Sequence, residues 1–170
     1  MKTVEEFMQR LHYVQSLHAD FPTEAVFILK GFQHIAYLFE GSTDAILADS
    51  GLNSTSWSVL MMMYSNPDQS MYPSDLSDIC TQSRPQMTRI SDELVNNSWV
   101  VREPDAVDRR KISLRLTASG VELIQALLPK LSAFYAHLLS PLSSTEQRVL
   151  CDLLFKMGQA QQLEQNNCTI

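Results

Sequence analysis

At Trp99 the apolar periodicity of the chain changes from helical to alternating, and this switch restricts the fold more than any other feature. Before it, Met87, Ile90 and Leu94 recur at i, i+3 and i+7, the spacing of one helix face. Ser83-Arg84-Pro85-Gln86 marks where that helix begins, because a serine cap followed three residues later by glutamine reads as a capping box. Pro85 is tolerated in the first turn. Asn96-Asn97 predicts its end. After the switch, Trp99 to Glu103 reads as a strand, residues 104–110 as a polar turn, and Lys111 to Leu116 as a second strand. Ile112, Leu114 and Leu116 then share one face, and Lys111, Ser113 and Arg115 the other. A capped helix running into a two-stranded hairpin leaves few architectures open.

The flanking segments are helical. Residues 3–18 place Val4, Phe7, Met8, Leu11, Val14 and Leu17 on one stripe, and Asp20-Phe21-Pro22 interrupts it. Thr23 is expected to cap a long helix striped by Phe27, Ile28, Gly31, Ile35, Leu38, Phe39, Ile46 and Leu47, ended by Gly51. Asn53 or Ser54 opens a third helix with Trp57, Leu60, Met61 and Tyr64 inward. Asn66-Pro67-Asp68 is a turn, and Pro73 opens a short helix to Cys80 whose inner face is Leu76, Ile79 and Cys80. Thr117 caps a helix through Leu123, Leu127, Leu131, Phe134 and Leu138, with a kink expected at Pro129. Ser143-Ser144-Thr145-Glu146 is a second capping box, opening a helix with Val149, Leu150, Leu153, Leu154 and Met157 on its apolar face. The polar tail from Gln161 is expected to fray. The fold class is therefore mainly α with a small β-hairpin wing. One domain, 1–170, would hold a winged helix-turn-helix lobe at 53–117 and helical regions at 3–50 and 118–162. These helical regions carry more apolar residues than one small lobe can cover, which points to a dimer.

Charge narrows the function. The chain is −6 overall, yet residues 84–115 hold seven of its thirteen basic residues against five acids, so that stretch is +2 and the remainder −8. This excludes a protein whose whole surface binds nucleic acid. A local basic footprint suits DNA, since phosphate attraction acts within about one Debye length, ~8 Å in physiological salt. Cys80, Cys151 and Cys168 are odd in number and far apart, fitting neither a disulfide framework nor a zinc motif. His12, His18, His34 and His137 are equally scattered, so no metal or other cofactor is expected. With five glycines, no phosphate loop and no nucleophile–base motif, the chain does not read as an enzyme. Mean hydropathy is −0.10 and no apolar run is long enough to span a bilayer, and the start MKTVEEFMQR lacks a signal-peptide core. A cytoplasmic protein with no membrane partner is the expectation.

Arg84, Gln86, Thr88 and Arg89 fall on the outward face of the capped helix, with Ser83 ahead of them and Ser91 or Asp92 beside them. These residue types suit base edges and phosphates in a major groove. The hairpin tip adds Asp108, Arg109, Arg110 and Lys111; Asp108 is expected to hold one arginine while Arg110 enters a minor groove. Two plainer accounts compete: a solvated helix face, and a surface turn with an ion pair worth under ~1 kcal/mol. A winged helix that binds another protein is a third alternative, fitting the acidic balance.

Residues 84–120, RPQMTRISDELVNNSWVVREPDAVDRRKISLRLTASG, resemble the recognition helix, wing and following helix start of the MarR family (multiple antibiotic resistance regulators). The most specific piece is Asp105-Ala106-Val107-Asp108-Arg109-Arg110 followed by Leu116-Thr117-Ala118-Ser119-Gly120. The extra N-terminal helix before Asp20-Phe21-Pro22, and Pro73-Ser74-Asp75-Leu76-Ser77, look most similar to the branch that represses multidrug-efflux operons. The resemblance implies an obligate homodimer on a pseudo-palindromic double-stranded operator, released by a small aromatic or phenolic ligand. Phe27, Lys30, Gly31, His34, Trp57 and Met61 would line the ligand cleft. An alternative trigger is oxidation of Cys80, just ahead of the recognition helix. Ser98 departs from the family pattern, which has glycine before the strand; Asn97 is expected to take the left-handed conformation in its place.

Overall fold

A computed structural model describes residues 4–105, 108 and 111–167, with side chains as far as Ala160. The helices are α1 (Val4–Leu17), α2 (Thr23–Leu47), α3 (Ser54–Ser65), α4 (Pro73–Ile79), α5 (Arg84–Asn96), α6 (Ala118–Leu138) and α7 (Ser144–Asn167). Strands β1 (Ser70–Met71), β2 (Val100–Pro104) and β3 (Ile112–Leu116) form an antiparallel sheet in the order β1-β3-β2. The chain divides into two compact units after Ile124, within α6.

Most boundaries follow local chemistry. Asn53 accepts the Ser56 amide at 2.9 Å and caps α3. Ser83 accepts the Gln86 amide at 3.4 Å ahead of α5. Thr117 accepts the Gly120 amide at 3.0 Å ahead of α6. The box before α7 closes both ways: Ser143 Oγ accepts the Glu146 amide at 3.3 Å, and Glu146 accepts the Ser143 amide at 2.8 Å. The Ser143 hydroxyl, which also donates to Glu146 Oε2 at 2.7 Å, and then the Ser143 amide hold the Glu146 carboxyl below its ordinary pKa, since both bonds favour the charged form. Gly51, at φ 71°, closes a short 3-10 turn (Ala48–Ser50) that follows α2. Pro104 is accommodated because β2 is an edge strand.

The first unit has one core. Leu47, Trp57, Val59, Leu60, Met63, Leu76, Met87, Ile90, Leu94, Val100, Leu114 and Leu116 are all buried, drawn from α2, α3, α4, α5 and the sheet. This burial welds helix-turn-helix and hairpin into one body.

Several expectations need correction. β1 was not anticipated; its two residues pair with Arg115 and Leu114 of β3 and make the wing three-stranded. The first residue of α2 is Thr23 itself, with Pro22 before it and no side-chain cap. On α3 the fully buried positions include Val59 and Met63, while Met61 and Tyr64 are half-buried. Ile79 is 54% exposed, because a seven-residue helix buries only Leu76 and Ser77. Ile112 lies at the exposed outer end of β3. Ser91 turns inward and donates to the Met87 carbonyl at 2.7 Å, leaving Asp92 as its exposed neighbour. The backbone of α7 stays helical to Asn167.

Candidate nucleic-acid interface

Helix α5 buries Met87, Ile90, Ser91 and Leu94, and the same geometry turns Arg84, Gln86, Thr88 and Arg89 to solvent. Ser83 is exposed at the cap. Thr88 donates to the Arg84 carbonyl at 3.0 Å, which leaves the lone pairs of its hydroxyl free to accept. Thus four of the exposed positions on the first turns of α5 present two guanidinium groups, an amide and a hydroxyl.

The hairpin lies beside this face. Arg102 of β2 pairs with Asp92 of α5 at 2.6 Å, and Arg115 of β3 pairs with Glu103 of β2 at 2.6 Å. Arg115 also donates to the Asp68 carbonyl at 2.7 Å. The Glu103 bond and charge raise the Arg115 pKa. Two of the seven basic residues counted in the 84–115 stretch therefore staple the lobe together. The second pairing was within reach of the sequence: once Glu103 faces Ser113, Arg115 is its diagonal neighbour on the same face. The first depends on how α5 meets the sheet, which no local pattern encodes.

Lys111 is exposed, and its ammonium lies 5.9 Å from the centre of the Tyr72 ring. Asp108 is exposed, and its amide donates to Asp105 Oδ1 at 2.8 Å. Arg109 and Arg110, with the role expected for Arg110, lie outside the described residues. Tyr72 and Asp105 share a hydrogen bond that sequence reasoning missed, since its partners are 33 residues apart. Only β1 and the sheet bring them together.

The helix ends around the interface are strained. Trp99 N donates to Leu94 O at 3.1 Å and Ser98 N to Val95 O at 2.9 Å, the paired bonds of a Schellman motif. Ser98 is the residue forced left-handed, at φ 61°, whereas Asn97 has φ −83°. The assignment of that conformation to Asn97 is therefore overturned: the motif requires it one residue past the cap. Thr81 occupies the same position after α4, at φ 52°, with Gln82 N bonded to Ser77 O at 2.9 Å. Replacing Ser98 with glycine should stabilise the protein by about 1 kcal/mol, because a left-handed side chain costs roughly that much. The melting temperature should rise by about 2–4 °C, measured by thermal denaturation.

The residues expected to meet a ligand lie on α2 (Phe27, Lys30, Gly31, His34) and α3 (Trp57, Met61). Trp57 is in the core, and Phe27 stacks on Phe7 of α1 with ring centres 6.2 Å apart. Lys30 is exposed and donates to Gln33 at 3.0 Å. Gly31, His34 and Met61 are half-buried. None of the six lines the 160 Å³ pocket bounded by Phe39, Glu40, Ser54, Thr55, Ser58, Cys80 and Gln82, nor the 480 Å³ concavity between α1 and the start of α2. Burial pushes the Cys80 thiol up, away from the thiolate that oxidant sensing uses. Among the described residues, no helix is long and apolar enough to cross a membrane.

A MarR family sequence model matches residues 50–111, the span from the end of the 3-10 turn after α2 to the residue before β3. The transcriptional repressor MprA of Escherichia coli K12 is 31% identical over 163 residues, covering 95% of this chain and 93% of the repressor. The chain belongs to the MarR family. Solved MarR-family structures agree on the fold: Sco3205 of Streptomyces coelicolor, crystallised with DNA, superposes with a TM-score of 0.74 at 20% identity, covering 81% of this chain and 87% of Sco3205. MepR of S. aureus, also in a DNA complex, gives 0.70 at 22% identity, covering 76% and 94%. As a MarR-family member the chain is a winged-helix transcriptional regulator and not an enzyme. The Leu116-Thr117-Ala118-Ser119-Gly120 segment, which resembles the family's Leu-Thr-x-x-Gly, has a mechanical role here. Thr117 and Ser119 each donate to the Ser98 carbonyl at 2.8 Å, fastening the first turn of α6 to the start of β2.

Proposed function

We propose that this MarR-family chain is a DNA-binding transcriptional repressor that acts as a homodimer in the cytoplasm. Each subunit lays α5 in a major groove of a pseudo-palindromic operator and sets the hairpin against the adjacent minor groove. The observation that carries this is the juxtaposition of the exposed Arg84, Gln86, Thr88 and Arg89 with a hairpin stapled to the same helix through Arg102 and Asp92. Such an arrangement offers hydrogen-bond donors to base edges and cations to phosphates from one rigid lobe. Ser83, Asp108, Arg109, Arg110 and Lys111 complete the proposed contact set. The repressor name of MprA and the DNA complexes of Sco3205 and MepR support the same reading.

Unpartnered apolar rows support the dimer. On α2, Ile28, Ile35, Tyr37 and Leu38 are exposed in the single chain; on α7, Val149, Leu153, Leu154 and Phe155 are, the last at 69%. Rows of this size are covered in stable proteins, and a second copy is the covering the family resemblance implies. Residues 3–50 and 118–162 would form that dimerisation region, with 53–117 as the DNA-reading lobe. Control of an efflux or stress operon, and release by a small aromatic ligand meeting Phe27, Lys30, Gly31, His34, Trp57 and Met61, rest on the resemblance. A panel of phenols and benzoates titrated into the DNA complex tests the release.

The decisive experiment is fluorescence anisotropy on the intergenic duplex upstream of the chain's own gene. Tight binding should fall steeply with salt, with a log–log slope of about −0.9 for each phosphate neutralised, and sedimentation should show a dimer. Leu153→Glu should yield a monomer that no longer binds. Binding to no duplex, or an affinity indifferent to salt, would instead favour a protein partner.

A further inference from the structure

Tyr72 stands between β1 and α4. Its carbonyl accepts the Leu76 amide at 3.1 Å, as the first turn of α4 requires. Its hydroxyl donates to Asp105 Oδ2 at 2.5 Å, at the base of the hairpin loop. The other oxygen of the same carboxylate accepts the Asp108 amide at 2.8 Å. Asp108 O accepts the Lys111 amide at 2.8 Å, and Lys111 O accepts the Asp105 amide at 2.9 Å. The Lys111 ammonium then sits over the Tyr72 ring. The bonds that shape the loop thus pass through Asp105, and one phenol ties Asp105 to the first helix of the helix-turn-helix.

We propose that Tyr72 is a positioning residue for DNA recognition, a latch that ties the hairpin loop to α4 and so fixes the wing relative to the recognition helix. The inference deepens the DNA-binding reading and rests on it. A two-stranded hairpin is marginally stable by itself, and freedom at its base must be lost when DNA binds. A bond from a neutral phenol to a carboxylate is charge-assisted and directional, so it removes that freedom beforehand. Phenylalanine at this position would keep the ring under Lys111 but lose the tie. The same bond raises the phenol's pKa, so the donor proton stays in place across the physiological range. Tyr72 touches no base in this scheme; it acts through Asp105.

The test compares Tyr72→Phe, Asp105→Asn and the double variant, by anisotropy on the upstream duplex and by hydrogen exchange of the free protein. Each single variant should weaken DNA binding by about five- to twentyfold, and removing the hydroxyl in the Asp105→Asn background should add nothing. The salt slope should stay at the wild-type value, because no phosphate contact is lost. In free Tyr72→Phe, the Asp108 and Lys111 amides should exchange about tenfold faster while Ile90 and Leu94 on α5 keep their protection. Unchanged exchange, or DNA binding by Tyr72→Phe within about twofold of wild type, overturns the latch. Multiplicative losses in the double variant also overturn it, since Tyr72 would then contact DNA independently. Failure of the wild type to bind any duplex would sink the DNA reading instead, with exchange in the free protein still deciding the latch.

Discussion

Gly120→Ala is expected to lower the stability of this protein by about 3 kcal/mol, the upper part of the range for inserting a methyl group into a packed site. A Cβ built at Gly120 would lie 2.2 Å from the Trp99 carbonyl oxygen and 3.0 Å from the Trp99 carbonyl carbon. Both obstacles are backbone, so no side chain can swing aside. The Trp99 carbonyl cannot retreat either. It accepts the Thr117 amide at 3.0 Å, while the preceding Ser98 carbonyl takes both Thr117 and Ser119 hydroxyls. Relief would require the first turn of α6 to move away from Trp99, breaking these bonds. In thermal denaturation the midpoint should drop by about 10 °C, taking 2–4 °C per kcal/mol for a chain of this size. Gly41→Ala is the matched control: nothing lies within 4 Å of its Cβ, and a helical alanine should leave stability unchanged or raise it by up to about 1 kcal/mol. Equal effects of the two substitutions would refute the packing argument. The glycine that ends the family motif is thus explained by a helix pressed directly onto the backbone carbonyl just ahead of β2.

That explanation marks a boundary in what the chain discloses by itself. The start of α5 was legible because Ser83, Pro85 and Gln86 act within one turn, and the hairpin because alternation sorts Leu114 and Leu116 from Ser113 and Arg115 over a few residues. β1 was illegible: two residues carry no period, and only the backbone groups of β3 recruit Ser70 and Met71. Ile79 misled because helical spacing says which positions share a face, not whether another element covers them. Ser98 misled because residue preference favoured asparagine, while the position of the left-handed residue is set by the bonds closing α5. The site shows the same division. Arg84, Gln86, Thr88 and Arg89 could be grouped from helical geometry alone. The separation of the basic stretch into residues that face solvent and residues that staple the lobe, Arg102 and Arg115, needed the tertiary arrangement. Charge counting cannot distinguish them, since both kinds contribute equally to the +2 of that stretch.

On the proposed interface, the double substitution Arg84→Ala/Arg89→Ala should weaken binding to the upstream duplex by about 100-fold or more, each lost contact to a base edge being worth ~1–3 kcal/mol. Both side chains are exposed on the first two turns of α5, and their removal should leave the melting temperature within a few degrees of wild type. Salt dependence sorts what each arginine does. An arginine on a phosphate, once removed, reduces the log–log slope by about 0.9 and weakens all duplexes alike. An arginine on a guanine leaves the slope nearly unchanged and narrows the gap between the true operator and a scrambled duplex. Arg102→Ala provides the contrast. Its guanidinium is engaged with Asp92, so its loss should act by loosening β2 from α5 and should leave the salt slope at the wild-type value. If the double variant binds as tightly as wild type and with the same slope, α5 does not read this DNA. If Arg102→Ala alone changes the slope by about one, the staple is itself a phosphate contact, and the hairpin rather than the helix carries the interface.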